Sequence, residues 1–410
     1  MLKVSTLALS GAFALTALTS QAQITVDGVL NTAEISSTNY QLVGRYTGSH
    51  GFGDMGIVSL YSAADANKLY FFLAGTLESN AATGTTVGSN SSFQLFIDRP
   101  DLAGASSAAP LPVVIGSRTA FQKMSAKLDM DTDLAIAVTG TGTGGQLVPQ
   151  AIVYTSATAA TDKTLGADFI NGTSGAVTTI SASDAAGSFT ALAGARMAYR
   201  NTPDGKLSSN PGNTTGGAGS YGWEIEVDRA AMNIPATGGT IRIFALQSNS
   251  DGGYISSDFI PQNTAPLPTD AGYPLPGSGA PNLGGAGNNP PNVVDFANIP
   301  GIQAATLTIG AAGGTVLGAK KADELAVAMS AYPNPVTDAL LIKYFVTDRV
   351  QTVTISLLDM MGRQVHTVID AQRAVGQYQA EIKRGRLTAG MYIVRVQVGE
   401  RVAARQVVVK

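Results

Sequence analysis

Short runs in which apolar and polar residues alternate dominate the chain. In KLYFFLAGTLE, Leu69, Phe71 and Leu73 fall on one side, and in SFQLFID, Phe93, Leu95 and Ile97 do the same. A β-strand turns successive side chains to opposite faces, so each run predicts a strand with one apolar face. YGWEIEVD places Trp223, Ile225 and Val227 toward a core and Glu224, Glu226 and Asp228 toward solvent, and TIRIFALQS continues with Ile241 and Ile243. Turn pairs such as Asp27-Gly28, Asn171-Gly172, Asp204-Gly205 and Asp251-Gly252 punctuate the runs. The predicted fold is all-β: a large antiparallel β-sandwich over residues 23–262 and a small immunoglobulin-like β-sandwich over residues 327–410.

The pattern lapses between these units. Residues 261–300 hold half of the chain's 18 prolines, interleaved with glycine, and residues 263–326 read as a linker, because proline removes backbone donors and glycine adds unfolded-state entropy. At the other end, Lys3 precedes an apolar stretch from Leu7 to Leu18 and then small polar residues. That stretch is shorter than the ~20 residues a membrane-spanning helix needs, so residues 1–22 read as a signal peptide cleaved between Ala22 and Gln23. No other segment approaches spanning length, so no transmembrane segment is expected in the mature chain.

Charge separates the two units further. Residues 24–330 carry 14 Lys or Arg against 23 Asp or Glu, whereas residues 331–410 carry 11 against 6. An acidic domain without basic clusters is a poor partner for nucleic acid, whose phosphates supply most of that affinity. With no cysteine, neither disulfides nor thiolate metal sites are available. An exported chain without disulfides fits a bacterial envelope or extracellular setting.

Catalytic chemistry finds little purchase. GTGTGG at 140–145 has dinucleotide-loop spacing, but QLVPQAIVY follows it rather than a helix. Asp129, Asp131 and Asp133 have the spacing that opens a calcium loop, yet Leu134 stands where such a loop needs glycine. No cofactor is predicted, and calcium on those aspartates is the one metal candidate. Glu224 and Glu226, roughly 6.6 Å apart on one strand face, have the spacing of an inverting glycosidase pair but read as solvated. Of the two histidines, His50 lies in the glycine-rich loop SHGFGDMG, with no G-x-S-x-G elbow to serve. No catalytic residue is assigned.

The series ITVDGVLNTAEI, LYSAADANKLYFFLAGTLES, FQLFID and YGWEIEVDRAAMNI resembles family 9 carbohydrate-binding modules and the related DOMON-like sandwiches. That resemblance implies a non-catalytic scaffold binding sugars or, in other branches, haem, with aromatic faces and often calcium beside the glycan. The single tryptophan, Trp223, falls on the core face, so sugar recognition here would use Tyr254, with Asn249, Asp251 and Asp258 as polar partners.

The tail begins YPNP and continues through strand-like runs to Lys410. Pro333, Asn334 and Pro335, then Asp359, Met361, Gly362 and Arg363, then Leu387, Gly390, Tyr392, Val394 and Val396 resemble the ordered motifs of a type A C-terminal sorting domain of the type IX secretion system. The last strand carries Arg405-Gln406 where that family often has lysine. The resemblance implies export across the outer membrane of a Gram-negative bacterium, by way of the type IX machinery, with a surface sortase removing the tail and the passenger then anchored or released. The expected function is a secreted or surface protein whose passenger binds extracellular carbohydrate. The alternatives are an adhesive or structural protein without sugar specificity and, third, a glycoside hydrolase.

Overall fold

The computed structural model describes residues 24–410 apart from 37, 47, 49, 51–52, 78–90, 142–145, 167–169, 263–281, 288–290, 300–301, 318–328, 347–349, 360–362, 375, 386 and 400. The expected leader with its Ala22–Gln23 junction, the core of the 140–145 loop and Gly362 lie outside the described residues.

The passenger strands are β1 (Gln41–Arg45), β2 (Gly56–Ala64), β3 (Lys68–Thr76), β4 (Ser91–Asp98), β5 (Leu134–Gly140), β6 (Gln146–Ser156), β7 (Ala159–Thr164) and β8 (Ile170–Asn171). They continue as β9 (Thr178–Thr179), β10 (Arg196–Tyr199), β11 (Gly222–Asp228), β12 (Gly239–Asn249), β13 (Ile255–Ile260), β14 (Asn282–Gly284), β15 (Ala305–Ile309) and β16 (Thr315–Leu317). One sheet runs β1-β2-β3-β11-β10-β9 and the other β14-β13-β12-β4-β5-β6-β7, with β15 on β12, β16 on β15 and β8 on β6. Every pairing in both sheets is antiparallel.

The predicted inner faces meet. Trp223 pairs with Leu73, Ile225 with Phe71 and Val227 with Leu69. On the other sheet Phe93 pairs with Val138, Leu95 with Ile136 and Ile97 with Leu134, and all twelve side chains belong to one buried cluster. Alternation alone misses that the outer faces are covered as well. Tyr61, Tyr70 and Phe72 form a second cluster with Leu30, Tyr40 and Leu207, contributed by the N-terminal segment and the loop before β11. On the opposite sheet the Phe96 ring meets Phe121 at 6.3 Å, and Phe244 meets Phe296 at 4.9 Å, both edge to face. The solvated reading of Glu224 and Glu226 is therefore corrected: both are buried, because segments distant in sequence roof their sheet face.

The linker is also redrawn. Residues 282–284, 305–309 and 315–317 pair into the larger sheet, and Phe296, Ile299, Leu307 and Ile309 enter the main core, so the sandwich extends past residue 262. Ala305, Leu307 and Ile309 are buried while Thr306 and Thr308 are exposed, an alternation too short to stand out among glycines.

The tail forms β17 (Ser330–Tyr332), β18 (Ala339–Val346), β19 (Gln351–Asp359), β20 (Gln364–Arg373), β21 (Gly376–Lys383), β22 (Gly390–Val398) and β23 (Arg401–Val409). Sheets β17-β18-β21 and β20-β19-β22-β23 enclose Ile342, Tyr344, Ile355, Val394, Val396 and Val407, the small sandwich predicted. No helix among the described residues is long and apolar enough to cross a membrane.

Candidate functional site

Three of the four predicted ligand residues share one turn. Between β12 and β13 the Asn249 N–H donates to Tyr254 O at 2.9 Å, and the Tyr254 N–H returns to Asn249 Oδ1 at 2.9 Å. Asp251 Oδ1 accepts from Asn249 Nδ2 at 2.7 Å and from the Gly253 N–H at 2.9 Å, while Oδ2 meets Lys123 Nζ at 2.5 Å. Gly252 has φ +75°, and a Cβ there would strike Ala120 O, so glycine is what lets the turn close on residues 119–124. That segment is held by strand glutamines: Gln150 Oε1 accepts from the Ala120 N–H at 2.8 Å, and Gln94 Nε2 donates to Ala120 O at 3.0 Å.

Beside this turn lies an open cavity of about 330 Å³, lined among others by Arg118, Gln122, Thr139, Thr141, Gln150 and Asp251. Its walls offer a guanidinium, two amides, hydroxyls and a carboxylate, a donor and acceptor set suited to a polyhydroxylated ligand. Partial burial works against the Asp251 charge, but the Lys123 ammonium, the Gly253 amide and Asn249 outweigh it and hold the carboxyl below the usual range. Tyr254 is 37% exposed and lies against Gly287, where a Cβ would meet its ring. It is the one exposed aromatic among the large exposed hydrophobics of the described residues.

Asp258 is elsewhere. It is fully buried, accepts from the Ile57 N–H at 3.1 Å, and pairs with His50 Nδ1 at 2.6 Å. Gly56 makes room for this pair, since a Cβ there would strike both side chains. The Ser256 hydroxyl bonds to Asp258 rather than to the imidazole, so the order of contacts needed to activate a serine is not present. His50 and Asp258 brace the loop before β2 against β13.

Glu224 and Glu226 face different partners. Glu224 Oε2 accepts the Asp27 and Gly28 N–H groups at 2.9 and 3.0 Å, and Oε1 accepts the Tyr40 hydroxyl at 2.8 Å. Burial pushes its carboxyl up to about 8, against the pull of these donors. Glu226 instead meets Arg196 at 2.7 Å and Lys68 at 3.5 Å. The sequence motifs D-G and W-E thus meet in space as a clasp holding the N-terminal segment over the sheet. Glu34 completes it, accepting from the Thr25 and Asn31 N–H groups at 2.8 and 3.0 Å.

The three candidate calcium ligands do not converge. Asp129 accepts from the Gln303 N–H at 2.7 Å, Asp131 from the Ser107 N–H at 2.7 Å, and Asp133 pairs with Arg99 at 2.5 Å. No group of three His, Asp or Glu side chains placed to hold a metal occurs among the described residues. Near them burial, reinforced by the Asp133 charge, pushes Asp98 up to about 6.

In the tail, the predicted sorting residues act as fasteners. Asn334 Oδ1 accepts from the Val408 N–H at 2.8 Å and its Nδ2 donates to Gln406 O at 3.3 Å. The Lys410 N–H donates to Val336 O at 2.9 Å, so the YPNP segment and the terminal strand lock together. Pro333 and Pro335 follow the outer strand β17, where a missing N–H breaks no ladder bond. Asp359 accepts from the Arg363 N–H at 2.9 Å and from its Nε at 3.0 Å across the β19–β20 turn. Gly390 opens β22, and the Tyr392 hydroxyl donates back to Thr388 O at 3.0 Å.

Sequence reasoning missed Arg118, Gln122, Thr139 and Gln150. Gln150 alone left a trace, as a polar residue inside an apolar strand.

Residues 330–410 match the family model of the secretion system C-terminal sorting domain. No curated protein matches the chain. Among solved structures, 94% of the chain aligns with 54% of a biofilm associated protein BSP domain, at 9% identity and a TM-score of 0.17. It also aligns over 90% of its length with 34% of dimeric latent PorU from Porphyromonas gingivalis, at 11% identity and 0.20. A polysaccharide lyase aligns over 92% of the chain and 47% of its own, at 9% identity and 0.16. The chain spans between about a third and about half of these proteins, and such scores transfer neither ligand nor activity.

Proposed function

We propose that this chain, whose tail is a type IX secretion sorting domain, is a non-catalytic protein whose passenger binds extracellular carbohydrate in the polar cavity beside the Asn249–Tyr254 turn. The tail accounts for export to the surface or the medium through the type IX machinery. We further assign its removal to a surface sortase. The cavity carries the ligand reading: Arg118, Gln122, Gln150 and Asp251 stand around about 330 Å³, and Asp251 is held charged by Lys123. Tyr254, the one exposed aromatic among the described residues, does not line the cavity, so the site suits the end of a glycan chain, gripped by hydrogen bonds, better than a flat polymer surface. Glu224 is fully buried in its clasp, so the Glu224–Glu226 pair lends no support to the hydrolase alternative.

The purified full-length chain is expected to bind a subset of a glycan array. Arg118→Ala and Asp251→Ala should each weaken that binding roughly tenfold, about 1.4 kcal/mol. A blank array, or unchanged binding by both variants, overturns the assignment. A second reading, adhesion without sugar specificity, draws on Ile115, 88% exposed at a loop tip beside Val113 at 38%. It predicts a blank array together with surface attachment lost in Ile115→Ser.

A further inference from the structure

The small sandwich carries a cavity of its own, about 470 Å³, between the start of β20 and the turn joining β21 to β22. It is lined by Lys383, Arg384 and His366 together with the apolar Val365 and Leu387 and the ring of Tyr392. No aspartate or glutamate occurs among its described lining residues. The Tyr392 hydroxyl bonds to Thr388 O and the Arg384 N–H donates to Asp338 O at 2.8 Å, so the turn is held in place. Yet Arg384 Nε is shut off from water with no hydrogen-bond partner. That atom is as closed to a ligand as it is to water, but Arg384 as a whole is only partly buried, and a carboxylate in the cavity would meet its terminal guanidinium N–H groups through charge-assisted bonds. β20 is the outer strand of its sheet, and among the described residues it pairs only with β19. At Val365 its other edge carries no ladder partner among the described residues, where an extended chain could add.

We infer that this cavity is a recognition pocket for an acidic peptide segment of an export partner, whose carboxylate meets Arg384 and Lys383 while a neighbouring apolar side chain rests on Val365, Leu387 and Tyr392. The inference rests on the sorting assignment of residues 330–410 and not on the carbohydrate reading of the passenger. The surplus of basic over acidic residues in the tail supplies long-range attraction for such a partner. A phosphate headgroup would use the cations but neither the apolar lining nor the strand edge, which favours the peptide.

The test uses the full-length chain and a fluorescent peptide alternating Glu with Val, read by anisotropy at low salt. The Glu peptide should bind about tenfold more tightly than its Gln counterpart. Lys383→Gln and Arg384→Gln should each weaken it at least about fivefold, while Arg395→Gln, which removes an exposed charge on β22, leaves it unchanged. Lys383 is exposed, so that variant decides the matter even if Arg384→Gln fails to fold. In the native host, Lys383→Glu should hold the chain inside the envelope, whereas Arg395→Glu should not. Equal binding by Lys383→Gln, an equal loss in Arg395→Gln, or displacement of the peptide by inorganic phosphate or acidic-lipid vesicles at matching concentration overturns the proposal. Glycan binding should be unaffected by Lys383→Gln, which keeps this result separate from the passenger's.

Discussion

Glu224 joins two segments nearly 200 residues apart: its carboxyl takes the N–H groups of Asp27 and Gly28 and the hydroxyl of Tyr40, out of reach of water. Burial raises its pKa from 4.5 to about 8. An acid whose folded pKa lies above its unfolded value binds its proton more tightly when folded. Its stabilising contribution is complete below pH 4.5, declines as pH rises, and is lost through about pH 8. Glu224→Gln keeps an acceptor but cannot ionise. The thermal midpoint of the native chain should therefore fall relative to that of Glu224→Gln between pH 4.5 and about 8 when both are followed by calorimetry. Parallel profiles would mean that the three donors keep Glu224 charged throughout. The motifs on both sides of this clasp were visible in the sequence, but the burial was not, since a strand's alternation says nothing of what lies over its outer face.

Among elements, the terminal strand β23 depends on a side chain from the far end of the tail. Asn334 copies a ladder residue, offering an acceptor to Val408 N and a donor to Gln406 O. Asn334→Ala leaves these exposed backbone groups to water and should cost about 0.5 to 1.5 kcal/mol. The Val408 amide should then exchange its hydrogen markedly faster, while Val394, in the middle of the same sheet, keeps its protection. Asn334→Asp retains the acceptor and should restore part of the Val408 protection. Unchanged exchange at Val408 in the alanine variant would show that the β22 ladder alone holds the strand. As a motif YPNP could be read directly. Its partner, more than seventy residues later, could not.

For the whole molecule, the boundary of the passenger has the largest consequence. β15 pairs with β12 from Gly239 to Ile243, and Phe296 packs on Phe244 and Phe259. A fragment of residues 24–317 should unfold in one cooperative transition. A fragment of residues 24–262 loses β14, β15, β16 and Phe296, and removing a buried phenylalanine alone typically costs about 3 to 5 kcal/mol. Its midpoint in a thermal melt should lie well below that of the longer fragment, with a tendency to aggregate through the uncovered edge of β12. Equal midpoints would return residues 282–317 to the role of a connector.

The sequence by itself determined the all-β class, the two sandwiches, the inner faces carrying Trp223, Phe71 and Leu95, and the ordered tail motifs from Pro333 to Tyr392. Each of these is a short-range property, because a strand's period of two and a turn's glycine are written within a few residues. Only the tertiary structure decided that Glu224 is buried, that Asp258 braces His50 apart from Asn249, Asp251 and Tyr254, and that residues 305–309 complete a sheet. It alone brought Arg118, Thr139, Gln150 and Asp251 around one cavity. Those facts depend on which segments cover which face, and burial, desolvation and hydrogen-bond pairing between distant residues are settled by packing that no local pattern encodes.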